Sequence, residues 1–293
     1  MDEDKQIFSP LINSPVSEDI PNPILEYALS QPPFVTLKGA FNTRDLGIKP
    51  YLQPGLIYRS GSLTDLDDEG KDILTGVLGV QIIFDLRSAG ERNAFPFPSI
   101  ENVQIVWMPS DSSSAANLDI SDFVKLENDT NPWEGGCRVW SKEYRQILTL
   151  YKQPFRKVLD HLLKNPKVPI LFNCTAGRDR TGVLAALLLS LAGAPDEQVA
   201  FDYALSRIGV EPQKSFLNAL VKQWKPEWTE ETPGVVQFNN SRPEYMERFL
   251  QDARKVYHGE NGVDWAETYA MYELGFTKDE VQQIRNNMKG ELA

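Results

Sequence analysis

A cysteine, two arginines, an aspartate and a threonine lie close together in the segment CTAGRDRT (174–181). Five residues separate Cys174 from Arg180, and Thr181 follows the arginine. A thiolate is a strong nucleophile, and the planar guanidinium of arginine can donate two parallel hydrogen bonds to phosphate oxygens. Together, these residue types are suited to covalent catalysis on a phosphate ester.

The surrounding sequence predicts a strand, a tight loop and a helix. VPILFN (168–173) is an apolar run of strand length, Gly177 suits a turn, and TGVLAALLLSLAG (181–193) is rich in helix formers. The first amides of a helix lack partners within the helix, and the macrodipole adds partial positive charge there. We therefore expect an anion site that also stabilises the thiolate of Cys174. The predicted phosphate-binding residues are Thr175, Ala176, Gly177, Arg178, Asp179, Arg180 and Thr181.

Cys174 alone would indicate little, because most free cysteines are buried structural residues. The joint pattern favours a nucleophile, since two arginines and an aspartate in one tight loop are costly unless an anion lies among them. The hydroxyl of Thr181 is expected within reach of the sulfur, where it would stabilise the sulfur as a leaving group.

Hydrolysis through a cysteine also needs an acid that protonates the departing oxygen and later activates water. Asp179 is the first candidate because it lies inside the loop. Asp111, in WMPSDSS (107–113), follows a predicted strand, and Asp85 ends the apolar run VQIIFD (80–85). For each aspartate the alternative is a role in a turn or a helix cap.

Composition argues against several other functions. The 293 residues carry a net charge of −11, which disfavours binding to nucleic acid and anionic membranes. Two cysteines allow at most one disulfide, and we find neither a signal peptide nor a run long enough to span a membrane. These features predict a cytoplasmic protein. His161 and His258 lack metal-ligand spacing, so we expect no metal and no cofactor.

The remaining segments predict an α/β protein. The apolar runs 80–86 and 103–108 are further candidate strands, with helices between and after them, which favours a sheet with buried central strands. The polar segment 109–140 is long enough to cover an active site. Residues 195–293 read as a helical extension packed on the sheet.

Residues 1–30 predict a flexible N-terminal arm because the segment is rich in prolines and acidic residues and nothing in it repeats at a regular period. We expect one domain over 31–293. Within it, Arg44 with Asp45, and Tyr58 with Arg59, are candidate pairs that support the loop, with an ordinary surface ion pair as the alternative.

CTAGRDRTG (174–182) resembles the signature loop of the cysteine-dependent protein tyrosine phosphatases. Together with FNTRDLG (41–47), YRSGSL (58–63) and FDLRSAGER (84–92), it resembles the bacterial and fungal tyrosine/serine phosphatase family. The resemblance is spread over about residues 35–210.

The resemblance implies a dual-specificity-like sheet flanked by helices, no metal, and a phosphocysteine intermediate. It implies Cys174 as nucleophile, Arg180 as phosphate clamp and Asp179 as general acid. Two positions depart from the family: Asn173 stands where a histidine is common, and Arg178 where a lysine is frequent. The neutral amide of Asn173 can hydrogen-bond the loop but cannot supply charge.

These observations predict a phosphomonoester hydrolase whose partner is a phosphorylated substrate, either a phosphoprotein, a phosphoinositide or a small phosphate. One alternative is a phosphatase of small metabolites or diphosphates. Another is a non-catalytic phosphate-binding module, against which the intact Cys174, Arg180 and Thr181 argue.

Overall fold

The computed structural model describes residues 2–108, 118–258 and 264–290. In these ranges a five-stranded sheet has the spatial order β1-β2-β5-β3-β4. The strands are β1 (Arg44–Asp45), β2 (Ile57–Ser60), β3 (Ile82–Asp85), β4 (Gln104–Trp107) and β5 (Ile170–Asn173). All pairings are parallel except that of β1 with β2. The predicted α/β class and the strands expected within 80–86, 103–108 and 168–173 are confirmed.

Helices cover the sheet and form most of the second half of the chain. They are α1 (Asp2–Ile12), α2 (Asn22–Leu29), α3 (Asp68–Asp72), α4 (Ala89–Ala94), α5 (Glu134–Leu150), α6 (Lys152–Lys164), α7 (Asp179–Leu191), α8 (Asp196–Ala204), α9 (Ser206–Gly209), α10 (Lys214–Trp224), α11 (Val235–Asn239), α12 (Pro243–Val256), α13 (Trp265–Tyr272) and α14 (Lys278–Lys289). The predicted helical C-terminal extension is present as α8–α14. No helix of the described ranges has the length and apolar character needed to cross a membrane.

The two faces of the sheet pack into different apolar clusters because successive strand residues point to opposite sides. Ile170 and Phe172 of β5 belong to the main core, which they share with α5–α7 and the C-terminal helices. Leu171 faces a smaller cluster that includes Leu63 and Leu74. β5 is buried on both faces and has a parallel strand on each side. The residue after β5, Cys174, is therefore anchored by the most buried strand of the sheet.

The N-terminal residues differ from the predicted flexible arm. α1 and α2 pack on α9, with Phe8 and Ile12 in one buried cluster with Leu205 and Ile208. Prolines and acidic residues interrupt the apolar residues of this segment, so the sequence shows no regular period. Their burial depends on a helix almost 200 positions away, which local pattern analysis does not detect.

The segment 109–140, predicted as a cover, is described from residue 118 onward. It contains a 3₁₀ helix over Ile120–Phe123, and α5 begins within it. Phe123 and Trp140 lie in the main core, with ring centroids 5.5 Å apart. The described part of this segment therefore packs inward and supplies core side chains.

The loop after β5 lies against β2 at Gly177. This residue has φ +69°, and a Cβ on it would lie 2.6 Å from the backbone nitrogen of Gly61 and 2.7 Å from the carbonyl carbon of Ser60. Only glycine satisfies both the left-handed conformation and this close approach. The sheet and the loop are thus in direct backbone contact.

We expect Gly177→Ala to lower the free energy of unfolding by about 1–3 kcal/mol more than Gly193→Ala, and to reduce activity. Gly193 is a matched control because it also has a positive φ, +86°, but has nothing within 4 Å of an added Cβ. Chemical denaturation of both variants measures the difference. Equal stability of the two variants would contradict the close packing of the loop on β2.

Candidate active site

Cys174 lies at the base of a cavity, 1% exposed, directly after β5. Its Sγ is 3.7 Å from Oγ1 of Thr181, in the first turn of α7. The same hydroxyl oxygen accepts a hydrogen bond from Nη2 of Arg59 at 3.3 Å. Because Arg59 donates to this oxygen, the hydroxyl hydrogen of Thr181 is available to the sulfur. The expected proximity of Thr181 to the thiol is present in the structure.

Arg180 is held by a carboxylate on α4. Its Nη1 and Nη2 donate to the two carboxylate oxygens of Glu91, each at 2.6 Å, and Nη1 also donates to the carbonyl of Leu86 at 3.1 Å. These bonds use three of the five guanidinium N–H groups. The Nε hydrogen and one Nη2 hydrogen have no acceptor among the described residues. That edge of the guanidinium is the side-on fork that binds two phosphate oxygens.

Glu91 was missed as a site residue by sequence analysis. Ser88 and Glu91 form the capping box of α4, and the Thr175 hydroxyl of the loop also donates to Glu91. Burial opposes ionisation of Glu91, but Arg180 and these hydroxyls outweigh it and hold its pKa well below the usual range. The Ser-x-x-Glu pattern in the sequence indicates the helix cap, but it does not indicate that Glu91 pairs with Arg180.

Two arginines from the segments 41–47 and 58–63 share one buried carboxylate. Nε of Arg44 is 2.8 Å from Oδ1 of Asp202, and Nη1 of Arg59 bonds the other oxygen. Burial and the charge of Arg59 lower the pKa of Arg44 to about 10, while Asp202 opposes this shift. Nη2 of Arg59 donates to the carbonyl of Gly177 at 2.9 Å. Arg59 therefore connects the buried ion pairs to the loop.

The predicted pairings of Arg44 with Asp45 and of Tyr58 with Arg59 are wrong. Both arginines turn inward to Asp202. Asp45 instead accepts hydrogen bonds from the amides of Gly47 and Gly55, at 2.8 and 2.7 Å.

The structure separates the three candidate acids. Oδ1 of Asp179 accepts hydrogen bonds from the Tyr144 hydroxyl and from Nε of Arg178, both at 2.9 Å, and this aspartate lines the cavity. Asp85 is buried and bonded through both oxygens to Arg87, at 2.9 and 3.0 Å, and does not line the cavity. Asp111 lies outside the described residues.

Arg178 faces both the cavity and the backbone of α11. Its Nη1 donates to the carbonyls of Phe238, Asn239 and Asn240 at 3.1–3.3 Å. The guanidinium also stacks 4.7 Å from the ring centroid of Trp140. In this position Arg178 fixes α11 to the loop, in addition to its predicted place beside the phosphate.

Asn173 ends β5 and is completely buried. Its side-chain oxygen and nitrogen have no hydrogen-bond partner among the described residues. The expected hydrogen bond from the Asn173 amide to the loop is therefore absent among the described residues.

The cavity above Cys174 has a volume of about 500 Å³. Its base consists of Thr175, Ala176 and the charged loop residues. Its walls come from α10, α11 and the N-terminal segment around residues 16–19. Leu217, Val221 and Phe238 supply apolar surface to these walls. The described part of 109–140 contributes nothing to the lining, so other elements cover the site.

The search for metal ligands covered residues 2–108, 118–258 and 264–290. In those ranges no three His, Cys, Asp or Glu side chains are grouped so that they could hold an ion. His161 is buried on α6, where one ring nitrogen lies 3.3 Å from the carbonyl oxygen of Val168.

The model of a tyrosine phosphatase family matches residues 35–290. The triple specificity protein phosphatase PtpB of Mycobacterium tuberculosis is 30% identical over 226 residues, which cover 70% of this chain and 80% of PtpB. A tyrosine-protein phosphatase of Nostoc commune is 29% identical over 155 residues, covering 53% of this chain and 49% of that protein. Among solved structures, the catalytic core of the PP-IP phosphatase SIW14 from S. cerevisiae is 16% identical, with a TM-score of 0.31, covering 62% of this chain and 99% of that core.

Glu143 of α5 is a buried carboxyl group, 7% exposed, whose ionisation is opposed by the charge of Asp179. Burial raises the pKa of Glu143 from 4.5 to about 7; Lys142 opposes this shift, and the Asp179 carboxylate adds to it. Between these two values the folded protein retains a proton that the unfolded chain releases. Stability therefore falls as the pH rises through this window.

Replacing Glu143 by glutamine should remove this penalty. We expect Glu143→Gln to raise the free energy of unfolding by about 2 kcal/mol at pH 8 and to change it little at pH 4. Urea denaturation at both pH values measures the effect, with Glu127→Gln as an exposed control. A gain at pH 8 no larger than that of the control would show that Glu143 ionises in the folded protein at no cost.

Proposed function

The chain belongs to the tyrosine phosphatase family of cysteine-dependent phosphoric monoester hydrolases, and from this premise we propose that it removes single phosphate groups from protein side chains, preferably phosphotyrosine. The observation that carries the proposal is the charge balance of the cavity. Each of its four lining cations lies within ion-pair distance of a carboxylate. The pairs are Arg178 with Asp179, Arg180 with Glu91, Arg207 with Glu211, and Lys214 with Asp19.

Only the free edge of Arg180, with the loop amides, remains for an anion in this lining. A substrate with several phosphates would have to place its further charges beside cations that are already neutralised. The apolar walls from α10 and α11 suit the ring of a phosphotyrosine, whose length separates the phosphate from the peptide backbone. PtpB carries the name of a triple specificity phosphatase, which supports acceptance of other phosphoryl esters at lower rates.

In the proposed reaction, the Cys174 thiolate attacks phosphorus. The S–P bond forms as the bond from phosphorus to the leaving oxygen breaks, and that oxygen takes a proton from Asp179. The Nε and Nη2 groups of Arg180 hold two non-bridging oxygens through both steps. Water then attacks the phosphocysteine, Asp179 takes its proton, and the sulfur leaves while it accepts a hydrogen bond from Thr181.

Asp179 is our choice of acid because it belongs to the loop and lines the cavity next to Arg178. The Tyr144 hydroxyl, itself 2.7 Å from the Tyr203 hydroxyl, holds one oxygen of Asp179 in place. Asp85 is unsuited to proton transfer because both of its oxygens are committed to Arg87.

The second candidate is a phosphatase of small metabolites or diphosphates. This candidate is favoured because α10 and residues 16–19 line the cavity and narrow the access of large substrates to Cys174. A non-catalytic module is set aside, because family membership together with Cys174 and Arg180 supports catalysis.

A substrate panel distinguishes the two candidates. We expect kcat/KM for a phosphotyrosine peptide to exceed that for inositol hexakisphosphate or a small diphosphate by at least about tenfold. Cys174→Ser protein, prepared in the same way, corrects for contaminating phosphatases. A reversed order would assign the enzyme to small or polyphosphorylated substrates.

Asp179→Asn tests the acid. With aryl phosphates of rising leaving-group pKa, we expect the variant to lose about 10²–10⁴-fold in kcat for poor leaving groups and much less for good ones, because only the former need a proton in the transition state. Asp85→Asn is the matched control and should slow all leaving groups alike, through loss of its ion pair with Arg87. A leaving-group dependence confined to Asp85→Asn would reverse the assignment.

A further inference from the structure

The N-terminal segment formed by residues 15–20, here called the entry segment, lies on the catalytic cavity. Val16, Ser17 and Asp19 line the cavity together with Cys174. The match to the tyrosine phosphatase family begins at residue 35, so the entry segment lies before the part of the chain that carries the family's sequence. A wall of the catalytic cavity is thus built by residues that the phosphatase signature does not include.

Buried polar contacts hold the entry segment in place. Nη2 of Arg207 donates to the carbonyls of Pro15 and Glu18, at 3.1 and 2.9 Å. The amide of Ile20 donates to Glu211 at 2.8 Å. Arg207 and Glu211 pair with each other, and their side chains are 2% and 5% exposed. Because unpaired buried charges are costly, these contacts to the backbone favour one position of the segment.

Apolar anchors flank the entry segment on both sides. Ile12 precedes it and Leu25 follows it, and both are buried in the cluster that contains Leu205 and Ile208. The short stretch between these anchors therefore has little freedom to leave the cavity.

Charge at the entry segment neutralises a lysine of the cavity wall. The Asp19 carboxylate is 2.6 Å from Nζ of Lys214, and Glu211 is 3.8 Å from the same nitrogen. The Asp19 side chain is 88% exposed, so it meets groups that approach from solvent. An acidic group beside the substrate phosphate would meet Asp19 before it could pair with Lys214.

From these contacts we propose that the entry segment selects substrates: Ser17 limits the width of the group that carries the phosphate, and Asp19 disfavours acidic groups next to it. The inference deepens the proposed function and rests on Cys174 being the nucleophile. The residues of the entry segment touch no reacting atom in this scheme, so their replacement should change KM for wide or acidic substrates far more than KM for a small ester.

The width is tested with Ser17→Trp and the control Ser30→Trp, an exposed serine at the end of α2 that does not line the cavity. The substrates are para-nitrophenyl phosphate and the larger 3-O-methylfluorescein phosphate, so the result does not depend on protein substrates. We expect Ser17→Trp to raise KM for the larger ester about tenfold or more, and to raise KM for para-nitrophenyl phosphate much less. Indistinguishable behaviour of the two variants would overturn the proposal for Ser17.

The charge is tested with Asp19→Asn and the control Asp68→Asn, which makes the same change in net charge at an exposed pair with Lys71 outside the cavity. We expect Asp19→Asn to lower KM about two- to fivefold for a phosphotyrosine peptide flanked by glutamates, and not for one flanked by glutamines. High salt should remove the difference. Equal effects of the two variants would overturn the role of Asp19.

Failure of the proposed function can be told apart from failure of the entry-segment proposal. If the wild-type enzyme turns over neither peptide, the preference for phosphotyrosine is wrong. The same charge comparison is then made with the peptides as competitive inhibitors of para-nitrophenyl phosphate hydrolysis. A lower inhibition constant of the acidic peptide in Asp19→Asn alone supports the entry segment as a selective wall; no change contradicts it.

Discussion

The ion pair between Arg180 and Glu91 sets the geometry on which the catalytic loop depends. Two hydrogen bonds of 2.6 Å to Glu91 fix the orientation of the guanidinium and leave its Nε edge without an acceptor among the described residues. Glu91 lies in the first turn of α4, which follows β3, and Arg180 lies in the first turn of α7, which follows β5. Because β3 and β5 are parallel neighbours, their carboxyl ends lie side by side, and the two helices bring their first turns together. The sheet order therefore determines the position of Arg180, the proposed phosphate clamp.

A second group of buried charges also holds the loop. The Asp202 carboxylate pairs with Arg44 and Arg59, all three buried, and Arg59 donates onward to the loop carbonyl of Gly177. Buried ion pairs add little net stability, but removing one partner leaves a charge without compensation. The network thus favours a single loop position. In a chain with a net charge of −11, this group of two buried arginines and one buried carboxylate carries a local positive charge next to the loop.

The features that the sequence predicted well are those that depend on neighbouring residues. β5, the turn at Gly177 and α7 follow one another, so local periodicity and turn chemistry were sufficient to predict them. Glu91 and Asp202 were missed because their partners lie 89 and 158 positions away and meet them only through the sheet order and helix packing. The adjacent charges of Arg44 and Asp45 were misleading, since Arg44 pairs with Asp202 and not with Asp45. Nothing in the sequence of residues 1–30 indicated that they would bury Phe8 or line the cavity.

Chemistry and selection are separated in this architecture. The proposed nucleophile, phosphate clamp and acid are fixed by β5, by α7 and by buried ion pairs, so we expect changes there to cost stability as well as activity. The walls of the cavity come from α10, α11 and residues 15–20, and α10 has no fully buried residue. The exposed positions of these walls, such as Asp19 and those of α10, can change in shape and charge at little cost to the core, because surface substitutions usually alter stability by less than about 0.5 kcal/mol. A phosphatase built in this way can keep its reaction constant while segments outside the signature decide which phosphate esters reach Cys174.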